Sequence, residues 1–194
     1  TDLIIVGSHG RQGIQRFMLG SFAESLLMQS EVPVCVIGPH STHTQTSKNI
    51  LFPTEFGEHS KDNFRHTLDL AKKLRTGITL LHAIPRPIES LFELDTRPHV
   101  YNYKGKMLSL EQIVELTIES QSHRAQHWVD WAEKEGVRAQ FIIDSSFKAV
   151  DELILAAVER NDVDLIVMEA QSGPLSAALL GSYTRNVVRK ASCP

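Results

Sequence analysis

Residues 1–21 read TDLIIVGSHGRQGIQRFMLGS, and this stretch decides the predicted fold. Residues 3–6 are apolar and mostly β-branched, which is typical of a buried strand. A glycine-rich loop follows at once, and Gly20 with Ser21 opens an amphipathic segment that ends before Pro33. Residues 34–37 form a second apolar, β-branched run. The order strand, helix, strand indicates two parallel strands with a helix between them.

The same pattern returns near the end of the chain. The sequence DLIIV at residues 2–6 is similar to DLIVM at residues 164–168, a spacing of 162 residues. The sequence MLGS at residues 18–21 is similar to LLGS at residues 179–182, a spacing of 161 residues. This self-similarity predicts a tandem repeat. We expect the end of a first domain at 1–39, a polar linker at 40–47 and a second domain at 48–194. We also expect the first copy to lack its opening strands and the second copy to lack its last strand, so that this chain alone binds ATP weakly or not at all.

Strand and helix patterns alternate between the two copies. We predict strands at 49–52, 78–84, 139–143 and 165–168, and helices at 59–74, 111–135 and 150–158 and from 182 onward. Continuously apolar strands that alternate with helices predict an α/β, Rossmann-like fold, a parallel sheet with helices on both faces. Sheets of this kind bind ligands beyond the carboxyl ends of their strands, where the strand order reverses.

The first loop has the features of an anion site. Glycines that follow a strand let backbone N–H groups approach an anion, and a helix N-terminus adds free N–H groups and a positive dipole end. Ser21 and Glu24 have the spacing of a capping box, which marks the helix start. The same residues also fit a tight strand–helix connection with a capped helix. The residues alone leave both interpretations open.

Three stretches resemble one family. The pattern Gly7-x2-Gly10-x9-Gly20-Ser21 resembles the nucleotide-binding signature of the ATP-binding universal stress proteins. Residues 49–60, NILFPTEFGEHS, resemble the opening of a domain of that family, and residues 80–84, LLHAI, resemble the end of its second strand. The resemblance covers nearly the whole chain. It implies the adenine nucleotide alpha hydrolase-like variant of the fold, a stress-response role in the cytoplasm, and ATP or a related adenine nucleotide, with or without Mg²⁺, as ligand.

The resemblance also implies the binding residues. The phosphates and the ribose would be held by the signature residues Gly7, Gly10, Gly20 and Ser21. In the second repeat, the first strand contributes Pro53 and Glu55 and the second strand contributes Ala83. Glu55 departs from the aspartate usual in the family and is one methylene longer. His9 and Arg11 are further phosphate candidates, and a solvent-facing role fits each of them as well.

The second loop departs further from the signature. Residues 169–173, EAQSG, stand where the first two glycines should be, and a carboxylate is repulsive where a polyphosphate should lie. Gly181 and Ser182 keep the end of the pattern and could serve as a helix cap. We therefore expect a degenerate second site with no firmly implied cofactor.

Charge and composition exclude several classes of protein. The net charge is −3 and the basic residues are dispersed, so we expect no nucleic-acid partner. Apolar runs are too short for a membrane span, and two cysteines fit a reducing cytoplasm. His123 and His127 have a metal-binding spacing, but without a third ligand they favour a solvated helix face. We expect His82, Trp128 and Trp131 to belong to the core.

Three functions remain open from the sequence. The first is a regulatory protein that binds a nucleotide reversibly. The second is a nucleotide-independent scaffold, which self-associates through edge strands such as residues 34–37. The third is a slow ATP hydrolase or a nucleotidyl-transfer enzyme, for which no general base, nucleophile or metal set is spaced beside the loop. The long segment at 85–110 is either a lid or docking arm, or a surface excursion.

Overall fold

The computed structural model describes residues 3–8, 20–41, 49–84, 100–169 and 181–194. In chain order the elements are β1 (Ile4–Gly7), α1 (Ser21–Gln29), β2 (Val34–Ile37), β3 (Asn49–Pro53), α2 (Glu58–Leu74), β4 (Gly77–Ala83), β5 (Val100–Tyr103), β6 (Lys106–Ser109), α3 (Leu110–Lys134), β7 (Ala139–Asp144), α4 (Val150–Arg160), β8 (Leu165–Ile166) and α5 (Ser182–Lys190). Among these helices, none is long and apolar enough to cross a membrane.

Four parallel strands form the main sheet, in the order β7-β4-β3-β8. The chain adds β4 on one side of β3 and later adds β8 on the other side, so the strand order reverses at β3. The carboxyl ends of β3 and β8 are therefore the place where a sheet of this type binds a ligand. The α/β prediction, a parallel sheet flanked by helices, is confirmed.

Alternate residues of β3 send side chains to opposite faces of the main sheet. Ile50 and Phe52 belong to a core cluster with α2 and α3, whereas Leu51 belongs to a second cluster with α4 and α5. The first cluster is aromatic: Phe64 lies 4.7 Å from Trp128 between ring centroids. Trp128 is thus a buried core residue, as expected, and Trp131 is partly buried against the same cluster. Both faces of the sheet exclude water, which explains why its strands are continuously apolar.

A second, two-stranded parallel sheet joins β1 and β2, with α1 between them in the chain. Its first hydrogen bond has a counterpart in the main sheet. The Ile4 N–H donates to the Pro33 carbonyl at 3.0 Å, and the Ile166 N–H donates to the Pro194 carbonyl at 2.8 Å. Each bond ties a strand to the proline that follows the next helix, in line with the self-similarity of the sequence.

Two predicted segments differ from the structure. The run at 165–168 is a strand only at Leu165–Ile166. Within the predicted excursion at 85–110, residues 85–99 lie outside the described chain, while β5 and β6 form an antiparallel hairpin. Its turn is possible because Lys104 and Gly105 adopt φ values of 50° and 82°. The described part of this segment is therefore regular structure. In the predicted linker, residues 42–47 also lie outside the described chain.

Candidate functional site

The ends of the first glycine loop are held together by backbone hydrogen bonds. The Ser8 N–H donates to the Ile37 carbonyl at 2.9 Å, which extends the β1–β2 ladder past Gly7. The Gly20 N–H then donates to the Ser8 carbonyl at 3.0 Å. The loop between them, with His9, Gly10 and Arg11, lies outside the described residues. These two bonds bring the end of a strand and the start of a helix to one place.

Gly20 has a packing role that the signature did not predict. A Cβ atom at this position would lie 3.2 Å from the Ser8 carbonyl oxygen, closer than ordinary van der Waals contact. Because the Gly20 N–H already donates to that oxygen, it is not available to a phosphate. Gly20 therefore acts by allowing the close approach of strand and helix.

The helix α1 begins one residue earlier than the capping-box spacing predicted. Gly20 is its N-cap, with extended φ and ψ of −61° and 139°, and Ser21 is its first helical residue. A cap must have extended backbone, so Ser21 cannot be the cap, and the predicted box with Glu24 is wrong. Ser21 is exposed, and the N–H groups of the first helical turn have no acceptor within the helix. Among the described residues of this loop, these groups and the Ser21 hydroxyl are donors that can face an anion.

The second loop ends in the same way. Gly181 is the extended N-cap of α5 and Ser182 is its first residue, while residues 170–180 lie outside the described chain. The Thr184 hydroxyl lies 3.4 Å from the Glu169 carbonyl, which ties the segment after β8 to the first turn of α5. Glu169 lies three residues beyond the end of β8, at the position that corresponds to Gly7 in the first loop, and adds a negative charge to this loop.

The residues predicted on the opening strands share one edge of the main sheet. Pro53 ends β3 beside Leu81, and Ala83 ends β4 beside Asp144. The Thr54 N–H continues the ladder by donating to the Leu81 carbonyl at 2.9 Å. Glu55 follows and is exposed. Pro53, Glu55 and Ala83 therefore lie where the strand order predicts a ligand.

Asp144 is a residue of this edge that the sequence prediction missed. It ends β7, and its Oδ1 atom accepts hydrogen bonds from the Ser146 N–H at 2.8 Å and the Ser146 hydroxyl at 2.5 Å. The signal that could have revealed it is a polar Asp-Ser-Ser run directly after an apolar strand. Together with Glu55 and Glu169, it gives the strand ends three carboxylates. Carboxylates accept hydrogen bonds from ribose hydroxyls and repel phosphates.

Beneath this edge lies a buried polar contact. The His82 Nδ1 atom lies 2.8 Å from the Thr54 carbonyl oxygen, which can only accept, so Nδ1 carries the proton. The Phe56 ring lies 5.4 Å from the imidazole, and Phe56 adopts a left-handed φ of 54°. The Thr54 hydroxyl oxygen accepts a hydrogen bond from the Phe56 N–H at 3.0 Å, which holds this turn. His82 is a core residue, as predicted.

The structure separates the predicted residues into two groups. Gly7, Gly20 and Ser21 lie on the two-stranded sheet and α1, whereas Pro53, Glu55 and Ala83 lie on the main sheet. In the described parts of the chain, no three His, Cys, Asp or Glu side chains cluster as a metal site, and His123 and His127 are exposed on α3. Cys35 and Cys193 are both free.

Comparisons with known proteins agree with this architecture. The sequence profile of the Universal stress protein family matches residues 1–38 and 46–194. A universal stress protein from Archaeoglobus fulgidus DSM 4304 is similar in structure, with a TM-score of 0.57 and 19% identity, over 99% of this chain and 58% of its own. The universal stress protein UspA from Lactobacillus plantarum has a TM-score of 0.54 and 16% identity, over 77% of this chain and 96% of its own.

A universal stress protein from Archaeoglobus fulgidus was solved in complex with dAMP. It is 15% identical over 78% of this chain and 96% of its own, with a TM-score of 0.49. No curated protein sequence matched the chain. The structural likenesses support the fold, and the two matched segments of the profile leave out only residues 39–45. The chain therefore belongs to the universal stress protein family.

Proposed function

We propose that this chain is a nucleotide-binding regulatory protein whose first loop, residues 7–21, holds the phosphates of ATP or a related adenine nucleotide. The observation that carries the proposal is the pair of hydrogen bonds around Ser8. They set the end of β1 against the N-terminus of α1, where free N–H groups and the helix dipole favour an anion. Gly7 and the Ser21 hydroxyl are the remaining described members of this loop.

Under this proposal the second loop is not a polyphosphate site. Glu169 adds a carboxylate three residues beyond β8, and Glu55 and Asp144 extend the negative charge along the same edge. Such an edge fits the hydroxyl groups of a ribose better than a triphosphate. Nucleotide affinity therefore resides in the first loop, and binding there biases conformation or association. Two free cysteines fit the reducing cytoplasm as its location.

The experiment is an ATP titration of the whole chain and of two matched variants. Gly10→Asp adds a side chain and a negative charge to the first loop. Ser172→Asp adds the same negative charge at the corresponding position of the second loop, 162 residues later, where a serine side chain is already present. We expect Gly10→Asp to weaken ATP binding by about ten-fold or more and Ser172→Asp to change it by less than about two-fold. The titration must extend to millimolar ATP, because the two groups of predicted residues lie on different sheets and we therefore expect weak binding.

A nucleotide-independent scaffold is the second candidate. It is favoured by the contact between α1 and α5, which joins the two regions of the chain without a ligand. The same titration separates the two functions. If the unmodified protein shows no saturable ATP binding, the scaffold function is supported. If Gly10→Asp and Ser172→Asp weaken binding equally, the assignment of the nucleotide to the first loop is wrong.

A further inference from the structure

A groove of about 500 Å³ lies at the amino ends of β4 and β7, where α2 and α3 end. Lys72, Arg75 and Thr76 line it from the end of α2, and Gly77 and Arg138 line it beside the strand starts. None of the described residues that line it belongs to the first loop or to the carboxyl edge of the main sheet. The groove is therefore separate from both, and its volume is that of a pocket for a small molecule.

The groove carries an excess of positive charge. The Lys72 Nζ atom lies 2.6 Å from Glu135 Oε2, so this cation already has a partner. Arg75 and Arg138 are exposed, and neither has a carboxylate partner within the described parts of the chain. Three cations and one carboxylate leave two positive charges uncompensated at one place. This charge favours an anion with more than one negative charge.

The two helix ends do not need the guanidinium groups as caps. A helix C-terminus has free carbonyl groups and a negative dipole end, which basic side chains often offset. Here backbone N–H groups already donate to late carbonyls of both helices. In α2 the Thr76 N–H donates to the Ala71 carbonyl at 3.0 Å, and in α3 the Val137 N–H donates to the Ala132 carbonyl at 2.9 Å. The guanidinium groups are therefore available to another acceptor.

Arg75 occupies a backbone position that favours glycine. Its φ of 55° lies in the left-handed region, where a residue with a side chain is strained. The end of α3 has a glycine in this conformation, since Gly136 has a φ of 78°. Arg75 thus keeps a long cationic side chain at a cost that glycine avoids. Strain of this kind beside a groove indicates a use for the side chain.

Gly77 makes room for Arg138. A Cβ atom on Gly77 would lie 3.2 Å from the Arg138 carbonyl oxygen, 3.5 Å from its Nε atom and 3.7 Å from its Nη2 atom. The Ile78 N–H donates to the same carbonyl at 2.9 Å, which fixes the backbone of Arg138 against β4. The guanidinium of Arg138 therefore lies across the bare backbone of Gly77, next to Thr76 in the chain.

The Thr76 hydroxyl is an unsatisfied group at this place. The residue is nine-tenths buried, and its Oγ1 atom has no hydrogen-bond partner among the described residues. A buried hydroxyl without a partner costs free energy, so a ligand that accepts its hydrogen bond stabilises the fold. The χ1 angle of threonine has staggered alternatives, so the hydroxyl can turn toward a bound ligand without movement of the backbone.

We propose that this groove binds the phosphate group of a small, soluble phosphate monoester, with Arg75 and Arg138 as charged donors and the Thr76 hydroxyl as a neutral donor. Guanidinium groups bind phosphate oxygens through paired N–H donors. A phosphate monoester carries a charge of about −2 at neutral pH, which matches the two uncompensated cations. A carboxylate carries a single charge and binds more weakly. The inference goes beyond the proposed nucleotide function and does not depend on it.

The first test is an NMR titration of the whole chain with inorganic phosphate at low ionic strength, with acetate as the singly charged comparison. The amides of Gly77 and Gly136 report on the groove. We expect both to shift with a saturable dependence on phosphate, and acetate to bind at least about five-fold more weakly. Phosphate that leaves both amides unmoved overturns the proposal, and so does equal binding of acetate.

Arginine variants locate the binding. Arg75→Gln and Arg138→Gln each keep a polar side chain but remove a charge, and each should weaken phosphate binding by about three- to ten-fold. Arg160→Gln is the matched control, because Arg160 is an exposed arginine at the end of α4 and does not line the groove. It should change binding by less than about two-fold. Equal effects of the three variants would show a response to net charge alone and would overturn the site.

Two further variants test the proposal in opposite directions. Thr76→Val removes the hydroxyl and should weaken phosphate binding by about two- to five-fold, without lowering the free energy of unfolding of the unliganded chain. A merely structural role of Thr76 would leave the affinity unchanged, which overturns the hydroxyl as a donor. Glu135→Gln frees Lys72 for the phosphate and should strengthen binding by about two- to five-fold. Weaker binding by Glu135→Gln contradicts the charge argument.

The last measurements separate the groove from the first loop and identify the source of the phosphate. Gly10→Asp should leave the phosphate response of the Gly77 amide unchanged, and loss of this response would assign it to the first loop and overturn the groove. Glycerol 3-phosphate should bind to within about three-fold of inorganic phosphate. Vesicles of phosphatidylcholine and phosphatidic acid should not retain the chain. Retention that Arg75→Gln and Arg138→Gln abolish would assign the phosphate to a lipid and overturn the soluble ligand.

Discussion

The Gly20 N–H donates to the Ser8 carbonyl oxygen at 3.0 Å and so closes the loop of residues 9–19 at its base. The same oxygen would lie 3.2 Å from a Cβ atom on Gly20. The hydrogen bond therefore requires a residue without a side chain at position 20. A larger residue would push apart the strand end and the helix start that together form the proposed phosphate site.

Gly20→Ala is expected to destabilise the β1–α1 unit because its Cβ presses on backbone, which cannot rotate away. Gly57→Ala is the matched control, since Gly57 is also an extended N-cap, and an added Cβ there meets nothing within 4 Å. We expect Gly57→Ala to lose about 0.5–1 kcal/mol, because alanine is a poorer N-cap than glycine, and Gly20→Ala to lose about 1 kcal/mol more. Hydrogen exchange of α1 and of α2 measures the two effects separately. Equal losses in both helices would show that the contact with Ser8 is unimportant.

The buried hydrogen bond between His82 and Thr54 supports the edge that carries Pro53 and Glu55. His82→Phe keeps an aromatic ring but removes the donor to the Thr54 carbonyl, which then stays buried without this partner. We expect a loss of about 1–3 kcal/mol in the free energy of unfolding, measured by urea denaturation. His127→Phe, on an exposed position of α3, should stay within about 0.5 kcal/mol of the original. A His82→Phe protein as stable as this control contradicts the structural role.

Much of the fold could be predicted from the sequence because it depends on local patterns. The apolar period of residues 150–158 predicted α4, and the alternation of strands with helices predicted a parallel sheet. The predicted start of α1 differs from the observed start by one residue, because the backbone angles of Gly20 and Ser21 determine it. Ser21 has the chemistry of a cap, but Gly20 has the extended conformation, and no composition rule separates the two.

The candidate site was less predictable because it depends on contacts between distant residues. Asp144 lies beside Ala83 only through the register of β7 on β4, which pattern alone does not determine. Glu24 satisfied a local capping rule in the sequence, yet its carboxylate contacts Arg185, at the other end of the chain.

Phe64 lies at the centre of the aromatic core beside the main sheet, and we expect its truncation to be strongly destabilising. It is fully buried, and its ring lies 4.7 Å from Trp128 and 5.4 Å from Phe52. Phe64→Ala should lower the free energy of unfolding by about 3–5 kcal/mol through lost burial and a cavity. Phe22→Ala is the control, because Phe22 is 70% exposed, and it should change stability by no more than about 0.5 kcal/mol. Urea denaturation followed by tryptophan fluorescence measures both, and similar losses would contradict this description of the core.

Cys193 is expected to make stability depend on pH in the alkaline range. Burial, and next the charge of Asp164, raise the pKa of its thiol to about 11, from 9.0 for an unperturbed thiol. The folded chain therefore keeps a proton that the unfolded chain releases as the pH rises above 9. This contribution to stability is complete below pH 9 and is lost as the pH approaches 11.

The measurement is the free energy of unfolding by urea from pH 8 to pH 10.5, compared between Cys193→Ala and Cys35→Ala. Burial also raises the pKa of the Cys35 thiol, but this residue is only half-buried, whereas Cys193 is 6% exposed. Removing Cys193 should therefore flatten the alkaline fall in stability more than removing Cys35 does. Iodoacetamide at pH 8 gives an independent check, because only the thiolate reacts and Cys193 should be modified last. If Cys193 reacts as fast as Cys35, or if Cys193→Ala leaves the pH dependence unchanged, its thiol is not held protonated by the fold.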